Sequence, residues 1–408
     1  MFSWLENIQT KRFLCFAVCL AAGAAALCSL SWRMVHDTPI MLYQANLMVN
    51  HGMMPYRDFF CINLPGSLWM YGWLIQALGV SDWTVHLANL IVVSVISALI
   101  YLALSRSCHA CAMLGVGLGV LRIFSGEVAF ILERELLALI PISGLMLLGL
   151  RKPVQSPARE VIVGLLLAWL FLIKPQLILY GLPVVVLLLM GCNSVKEGVR
   201  TVFIIGTLFL LPVIACGVWL IKSGAWSGFC ETVQYWTLYG QMTQSFTFVQ
   251  PGERLHAIFV HVIRMLASPY MAVACGSLYV AWKSKVLTRN EIVFWSLVLA
   301  MTLLVPALSG QFWGYHRLPF FYFTLCVSGY LLAGRSWSTG LAILVILFWV
   351  PFAGLRVYRE TTSPSAIRSA PAKSSASPAM RTRTSTSAPT AFLPSARTSP
   401  ILCQPRCR

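Results

Sequence analysis

Charged side chains are scarce in this 408-residue sequence: Asp, Glu, Lys and Arg make up 11% of it, whereas 58% of the residues are hydrophobic. A soluble protein of this length could not bury so much apolar surface, so the composition excludes a water-soluble globular protein and predicts one whose solvent is lipid. Acidic residues are the scarcest charged class, with 13 against 30 Lys and Arg. A carboxylate close to lipid is costly unless it is paired or used.

The tail, residues 361–408, has no acidic residue and seven basic ones. Removing these seven charges from the formal net charge of +17 leaves +10 for residues 1–360, much of it in short loops, where membrane topology explains it. The charge therefore does not indicate a nucleic acid partner. Ser, Thr, Pro, Ala and Arg dominate the tail, which predicts disorder. A shifted reading frame after about Glu360 is our hypothesis for the abrupt change in composition.

Metal-ligand motifs and internal repeats are also lacking. The C-x-x-C pair of Cys108 and Cys111 has no further ligands at the spacing that zinc requires. Most other cysteines lie inside apolar runs, where they act as small hydrophobic residues.

Eleven apolar segments are predicted to cross the membrane. Lys11 and Arg12 precede the first segment, so the positive-inside rule places the N-terminus in the cytoplasm. The predicted crossings are 13–32, 84–104, 109–123, 136–150, 160–173, 176–191, 201–221, 256–281, 291–307, 319–334 and 338–355. The outer loops are then 33–83, 124–135, 222–255 and 308–318.

The predicted fold is an all-α polytopic membrane protein with about 11 transmembrane helices in residues 1–360, followed by the disordered tail. The first outer loop, 33–83, includes Pro65 to Val80, which is short for a crossing and is predicted to be a helix that lies in the outer interface or re-enters the membrane. Lys174-Pro175 divides one apolar run, because a proline interrupts helix hydrogen bonding there.

Asp37 follows the first crossing and precedes a predicted helix, Thr38 to Asn50. One interpretation is a helix N-cap, and the other is a general base at the outer edge of the bilayer. The two are compatible, since a capping carboxylate can also face a cleft.

Arg57 and Asp58 form an aromatic-flanked pair in the stretch P-Y-R-D-F-F. A structural ion pair that fixes a turn is the favoured interpretation. The alternative makes Asp58 a second acidic group of the site.

Glu127, followed by Glu133, Arg134 and Glu135, forms a second acidic cluster in the next outer loop. They either neutralise one another or contribute to a polar pocket beside Asp37, in which Glu133 or Glu135 positions an acceptor or a metal. Arg122 lies about one turn deeper and is a candidate for contact with a phosphate.

The last outer loop contains Tyr315-His316-Arg317 in an aromatic setting. These side chains either reach the interface as ordinary amphipathic residues, or His316 and Arg317 converge with Lys174 on an anionic headgroup.

Taken in order, these motifs resemble the C superfamily of polytopic glycosyltransferases, which use polyprenyl-phosphate-linked sugars and include protein O-mannosyltransferases and lipid A aminoarabinose transferases. The resemblance covers residues 10–355. It rests on Asp37, G-x-x-P-Y-R-D-F from Gly52 to Phe59, Pro65-Gly66, E-R-E-L from Glu133 to Leu136, Lys174-Pro175 and Tyr315-His316. The order E-R-E departs from a plain acidic pair.

The resemblance implies that Asp37 is the catalytic carboxylate, that Glu133 or Glu135 is the second acidic position, and that Lys174 and His316 lie near the donor phosphate. It implies an inverting glycosyltransferase at the outer face of a bacterial inner membrane. The donor is a polyprenyl-phosphate-linked sugar and the acceptor a glycan, lipid or protein, with a divalent metal as an open option. The alternatives are a multi-pass transporter, a flippase of lipid-linked sugars, and a catalytically degenerate relative.

Overall fold

A computed structural model describes residues 7–32, 34, 37–126, 130–150, 156–239, 250–310, 312–334 and 336–362. All of them belong to one unit, Met1–Arg368. Glu127 and the predicted tail from residue 363 onward lie outside the described residues, and so does the second unit, Ser369–Arg408.

The secondary structure is helical, with no β-strand among the described residues, as the composition predicts. The α-helices are α1 Ile8–Cys28, α2 Asp37–Asn50, α3 Pro65–Leu78, α4 Asp82–Leu104, α5 His109–Phe124, α6 Arg134–Gly149, α7 Pro157–Ile173, α8 Leu182–Met190, α9 Val195–Lys222, α10 Trp226–Tyr239, α11 Pro251–Leu266, α12 Pro269–Lys283, α13 Arg289–Ser309, α14 Leu318–Ser328 and α15 Ser336–Thr362.

Five helical segments in the described part of the chain are long and apolar enough to cross a membrane. The number is six if α11 and α12, which meet at an angle of 49°, form one broken span. Each predicted crossing falls on a helix or a helix pair, but several of these helices are shorter than a full span. The structure therefore establishes a membrane-compatible helical protein and not the predicted count of about eleven crossings.

The predicted break at Lys174-Pro175 is present. Helix α7 ends at Ile173, Lys174 has an extended backbone (φ −162°, ψ 115°), and a 3₁₀ turn leads from Pro175 into α8. Proline disfavours the helical conformation of the residue before it, which explains why the helix stops there. The break places the Lys174 side chain at the end of the bundle.

Glycines allow α5 to approach α14 and the segment after it closely. A Cβ on Gly115 would lie 2.0 Å from the carbonyl oxygen of Cys326, and one on Gly329 would lie 2.1 Å from that of Cys111. Small residues at such crossings let helix backbones touch, as they do in membrane bundles. This contact fixes α14, which follows the last predicted outer loop, against α5.

Two basic residues that are predicted to be cytoplasmic, Lys11 and Arg106, lie at one end of the bundle and bind carbonyl groups where other helical segments end. Lys11 donates to Leu332 O at 2.8 Å, and Arg106 donates to Leu150 O at 3.3 Å. A cation at a helix C-terminus satisfies carbonyls that have no partner within the helix.

Segments that are predicted to be outer loops meet at the opposite end. Helix α10 lies on the first outer loop: Thr232 donates to Cys61 O at 3.3 Å, and the indole N–H of Trp236 donates to Ile62 O at 2.7 Å. The ring of Phe229 packs edge-on against Tyr56 at 5.3 Å. Two of the predicted outer loops therefore pack against each other.

Candidate functional site

Six charged or titratable side chains from four parts of the chain come together where the predicted outer loops meet. We call this group the Arg134 cluster. Its members are Asp37 at the start of α2, Glu133, Arg134 and Glu135 at the start of α6, Lys174 after α7, and His316 in the turn before α14.

The backbone just before the cluster is held in an uncommon conformation. Leu132 has a positive φ of 53°, in the left-handed region that L-residues rarely adopt. Its N–H donates to Asn89 Oδ1 at 2.9 Å, and its carbonyl accepts from the Tyr71 hydroxyl at 2.5 Å. Two buried side chains thus hold the turn that aims Glu133, Arg134 and Glu135 into the cluster.

Glu133 binds the start of a different helix from its own. It occupies the N-cap position of α6 without capping that helix, and its Oε1 instead accepts the backbone N–H of Asp37 at 3.2 Å. The Thr38 hydroxyl lies 3.5 Å from the same oxygen. Burial, assisted by the charges of Glu135 and Asp37, raises the pKa of Glu133 to about 8. The group is therefore largely protonated at neutral pH and joins α2 to α6.

Arg134 occupies the centre of the cluster. Its guanidinium donates to Asp37 Oδ2 at 3.1 Å and also to the side-chain oxygen of Asn63 in the first outer loop. Although burial lowers the pKa of Arg134, the charges of Glu135, Asp37 and Glu133 outweigh this and hold the pKa above its usual range. Arg134 thus stays charged and orients the Asp37 carboxylate.

Glu135 holds the cluster's two other basic groups. Its Oε1 lies 2.7 Å from Lys174 Nζ and 3.5 Å from His316 Nε2. Burial by itself raises the pKa of Glu135, but the charges of Lys174, His316 and Arg134 outweigh it and hold the pKa well below the usual range. The carboxylate is therefore ionised, and it fixes two potential phosphate ligands at one point.

Tyr315 borders the same cluster. Its ring packs edge-on against His316 at 4.5 Å, and its side chain is buried. Burial, with the charges of Asp37 and Glu135, raises the pKa of its hydroxyl above the usual range. Tyr315 is thus a neutral polar group beside the charged pairs.

Accessibility differs sharply within the cluster. The Asp37 side chain is 38% exposed, whereas Arg134 is 14%, Lys174 16% and Glu135 2% exposed. Asp37 is therefore the acidic group that a substrate can reach, and the buried groups hold it in place. General-base chemistry requires a group that the substrate can reach, and Asp37 meets that requirement.

Arg57 and Asp58 form a separate ion pair of 2.8 Å in the first outer loop. Asp58 also accepts the Met54 N–H at 2.7 Å, and Arg57 donates to Ser223 O at 2.9 Å. The hydrogen bonds of this pair fix a turn and tie it to the end of α9, as the structural interpretation predicts. The neighbouring Tyr56 hydroxyl donates to the backbone carbonyl of Asn63, which connects the turn indirectly to Arg134.

Arg122 and Arg317 form a second basic group beside the cluster. Both guanidinium groups lie against the ring of Phe321, at 4.3 Å for Arg122 and 5.8 Å for Arg317. Arg122 also lies 5.4 Å from the centre of the Phe130 ring. Cation–π contacts of this kind hold a cation in an apolar environment.

Sequence reasoning missed four polar residues that position the site: Thr38, Asn63, Tyr71 and Asn89. A signal was present for Asn89, which is a polar residue inside an apolar helix and is costly there unless it has a partner. Asn63 and Tyr71 carry no comparable signal, because their partners are set by tertiary contacts between distant segments.

Among the described residues, no group of three or more His, Cys, Asp or Glu side chains is arranged to hold a metal ion. Arg134 pairs with Asp37 and Lys174 pairs with Glu135, so two of the three carboxylates already have a cation as partner. A scan against models of protein families and a search of curated protein sequences each found no match for this chain.

Proposed function

We propose that the protein is an integral-membrane, inverting glycosyltransferase that moves a sugar from a polyprenyl-phosphate donor to an acceptor at the extracytoplasmic face. The observation that carries the proposal is the Arg134 cluster itself. It places an accessible carboxylate, Asp37, in the same site as Lys174 and His316, although the three come from different loops.

The chemistry needs a base and a set of cations. A lipid phosphate is already a good leaving group, so a strong general acid is not required. Asp37 takes the proton of the acceptor hydroxyl as that oxygen attacks the anomeric carbon, a contribution of about 10²–10⁴-fold. The bond from the anomeric carbon to the phosphate oxygen breaks, and a single displacement inverts the configuration.

Preorganised cations stabilise the negative charge that builds on the departing phosphate. The Lys174 ammonium has three N–H donors, and its bond to Glu135 uses one, which leaves donors for a phosphate. His316 lies against the same carboxylate, and Arg317 follows it in the chain. Arg317 and the buried Arg122 add positive charge around Phe321, beside the proposed phosphate site.

The proposed location is a bacterial inner membrane, with the Arg134 cluster facing the periplasm or exterior. Five or six apolar helices and the basic residues at the opposite end of the bundle support this orientation. The proposed partners are the lipid-linked sugar, membrane lipids, and a glycan, lipid or protein acceptor.

The test uses purified full-length protein in lipid nanodiscs with a panel of polyprenyl-phosphate sugars and candidate acceptors. We expect release of polyprenyl phosphate with formation of an inverted product. Asp37→Asn should reduce transfer by at least about 10²-fold while donor binding persists, because Asn cannot take a proton. Asp58→Asn is the matched control, since it alters a carboxylate of the structural ion pair in the same loop. Transfer at the wild-type rate by Asp37→Asn would reject Asp37 as the base.

A transporter or flippase of lipid-linked sugars is the second candidate. The bend between α11 and α12 and the break at Lys174 favour it, because transporters place binding sites at broken helices. The two functions differ in one measurement: a flippase moves labelled donor across a vesicle bilayer without cleaving it. A degenerate relative would bind donor and do neither.

A further inference from the structure

A pair of thiols lies at the end of the bundle opposite the Arg134 cluster. Cys108 is the N-cap residue of α5, and its Sγ accepts the backbone N–H of Cys111 at 3.3 Å. Cys108 is half-buried, Cys111 is 1% exposed, and both are free thiols. One sulfur is thus partly accessible and the other lies directly behind it.

The surroundings of Cys108 favour its thiolate form. Hydrogen bonds from the Cys111 thiol and from the backbone N–H groups of Cys111 and Ala110, with the charge of Lys11, lower the pKa of Cys108 to about 6. Lys11 is held nearby by its own bond to Leu332 O. The thiolate is the nucleophilic form of cysteine, and helix N-termini and neighbouring cations are the usual means of stabilising it.

Two further cysteines on α1 face this part of α5 but have other partners. The thiol of Cys15 donates to Ala110 O at 3.3 Å, and the thiol of Cys19 donates to Met113 O at 3.9 Å. No metal-holding group of His, Cys, Asp or Glu is found in the described part of the chain. In a reducing compartment, a C-x-x-C pair is more often metal-binding or catalytic than a structural disulfide. The geometry here thus favours thiol exchange over metal binding.

We propose that Cys108 and Cys111 form a dithiol–disulfide exchange site that reacts with low-molecular-weight disulfides. The Cys108 thiolate attacks one sulfur of a disulfide RSSR, which forms a mixed disulfide and releases RS⁻. Cys111 loses its proton and attacks the Cys108 sulfur, which releases the second RS⁻. The protein gains one disulfide and RSSR is reduced to two RSH, so atoms and electrons balance. The site is independent of the Arg134 cluster and of the proposed glycosyl transfer.

The sequence provides a direct assay. Cleavage after Arg106 and Arg122 yields the peptide Ser107–Arg122, which contains Cys108 and Cys111 and no other cysteine. Full-length protein in lipid nanodiscs is equilibrated with mixtures of reduced and oxidised glutathione, quenched in acid, alkylated and digested. As the oxidised fraction rises, we expect this peptide to change from doubly alkylated to an unalkylated form that is two hydrogens lighter.

Variants identify the role of each sulfur. Cys111→Ser should trap one glutathione on Cys108, and Cys108→Ser should abolish both the internal disulfide and the adduct. Cys192→Ser is the control, because Cys192 is a half-buried thiol that bonds to Leu188 O and leaves the pair intact. Two outcomes would overturn the proposal. One is a wild-type peptide that stays doubly alkylated at a ratio of oxidised to reduced glutathione that fully glutathionylates Cys192. The other is a Cys111→Ser protein that carries no glutathione on Cys108.

A measurement on the wild-type protein tests the proposal even if the variants fail to fold. At pH 6.5, iodoacetamide should alkylate Cys108 about 10-fold faster than Cys192, because Cys108 is mostly thiolate and the gain exceeds the lower nucleophilicity of a low-pKa thiol. Equal rates would contradict the assignment of Cys108 as the attacking thiol.

Discussion

Arg134 donates a hydrogen bond to Asp37 over 3.1 Å, although the two residues are 97 positions apart in the chain. The bond joins the start of α6 to the start of α2, and the Glu133 carboxylate reinforces the junction by accepting the Asp37 N–H. The accessible Asp37 carboxylate is thus held by a largely buried guanidinium group. The contact both joins two helices and pairs two charges, and mutations can test these two effects separately.

Arg134→Met should destabilise the protein by about 1–3 kcal/mol, because it removes the cation from the partly exposed Asp37 and leaves the buried side-chain oxygen of Asn63 without its donor. Arg57→Met removes a cation of the same type from an exposed pair, whose charges are screened by solvent, and should have a smaller effect. Unfolding in detergent, followed by circular dichroism, measures both. Equal losses for the two variants would show that Arg134 is not the centre of the cluster.

Stability should depend on the protonation of Glu133. Because burial raises the pKa of Glu133 from 4.5 to about 8, its favourable contribution is fully present below pH 4.5 and is lost as the pH rises through about 8. Glu133→Gln mimics the protonated form, so the variant should lose less stability than the wild type between pH 5 and 9. The difference is on the order of a few kcal/mol. Parallel pH profiles for the two proteins, measured by thermal unfolding, would contradict the raised pKa.

Much of the helical architecture could be predicted from the sequence, because lipid imposes long apolar segments and Pro175 imposes a break. The number of crossings could not be predicted. Helices α5 and α8 are apolar but shorter than a full span, and the chain bends between α11 and α12. Hydropathy averages over a window and does not detect a bend. The helices that the structure shows are consequently more irregular than the eleven predicted spans.

The sequence predicted which residues belong to the candidate site better than it predicted the contacts between them. Asp37, Lys174 and His316 stand out as charges beside apolar runs. The central position of Arg134 could not be predicted from the sequence. Its place between Asp37 and Asn63 depends on the left-handed turn at Leu132. Such a turn is set by tertiary partners rather than by local sequence.

Tyr71→Phe tests that turn. The substitution removes the hydroxyl that donates to Leu132 O at 2.5 Å and leaves a buried carbonyl without this partner, at a cost of about 1–3 kcal/mol. It should also lower the rate of sugar transfer, since Glu133 and Arg134 follow directly in the chain. Tyr43→Phe is the control, because Tyr43 is exposed on α2. Wild-type stability and transfer in Tyr71→Phe would exclude a positioning role.

Glu135 and Lys174 should behave as a coupled pair. Each single substitution to Ala leaves a buried charge and should cost about 3–5 kcal/mol, whereas the double variant should cost less than the sum of the two. A double-mutant cycle by chemical unfolding gives the coupling. Lys174→Ala should in addition weaken binding of a polyprenyl-phosphate donor. Strict additivity would indicate that the 2.7 Å contact contributes no net stabilisation.

Gly66→Ala tests the Pro65-Gly66 motif, which is explained by packing. A Cβ at Gly66 would lie 2.6 Å from the carbonyl oxygen of Leu172 and 2.7 Å from its carbonyl carbon, so the start of α3 would have to move away from the end of α7. Backbone atoms cannot move aside as a side chain can, so the variant should be destabilised by about 1–3 kcal/mol.

Gly23→Ala is the matched control, because its Cβ would meet nothing within 4 Å on α1, and Ala is favoured over Gly in a helix by about 1 kcal/mol. Opposite signs for the two variants, measured by thermal unfolding in the same detergent, are the expected result. Because Lys174 follows Leu172 by two residues, Gly66→Ala should also weaken donor binding, whereas Gly23→Ala should leave it unchanged.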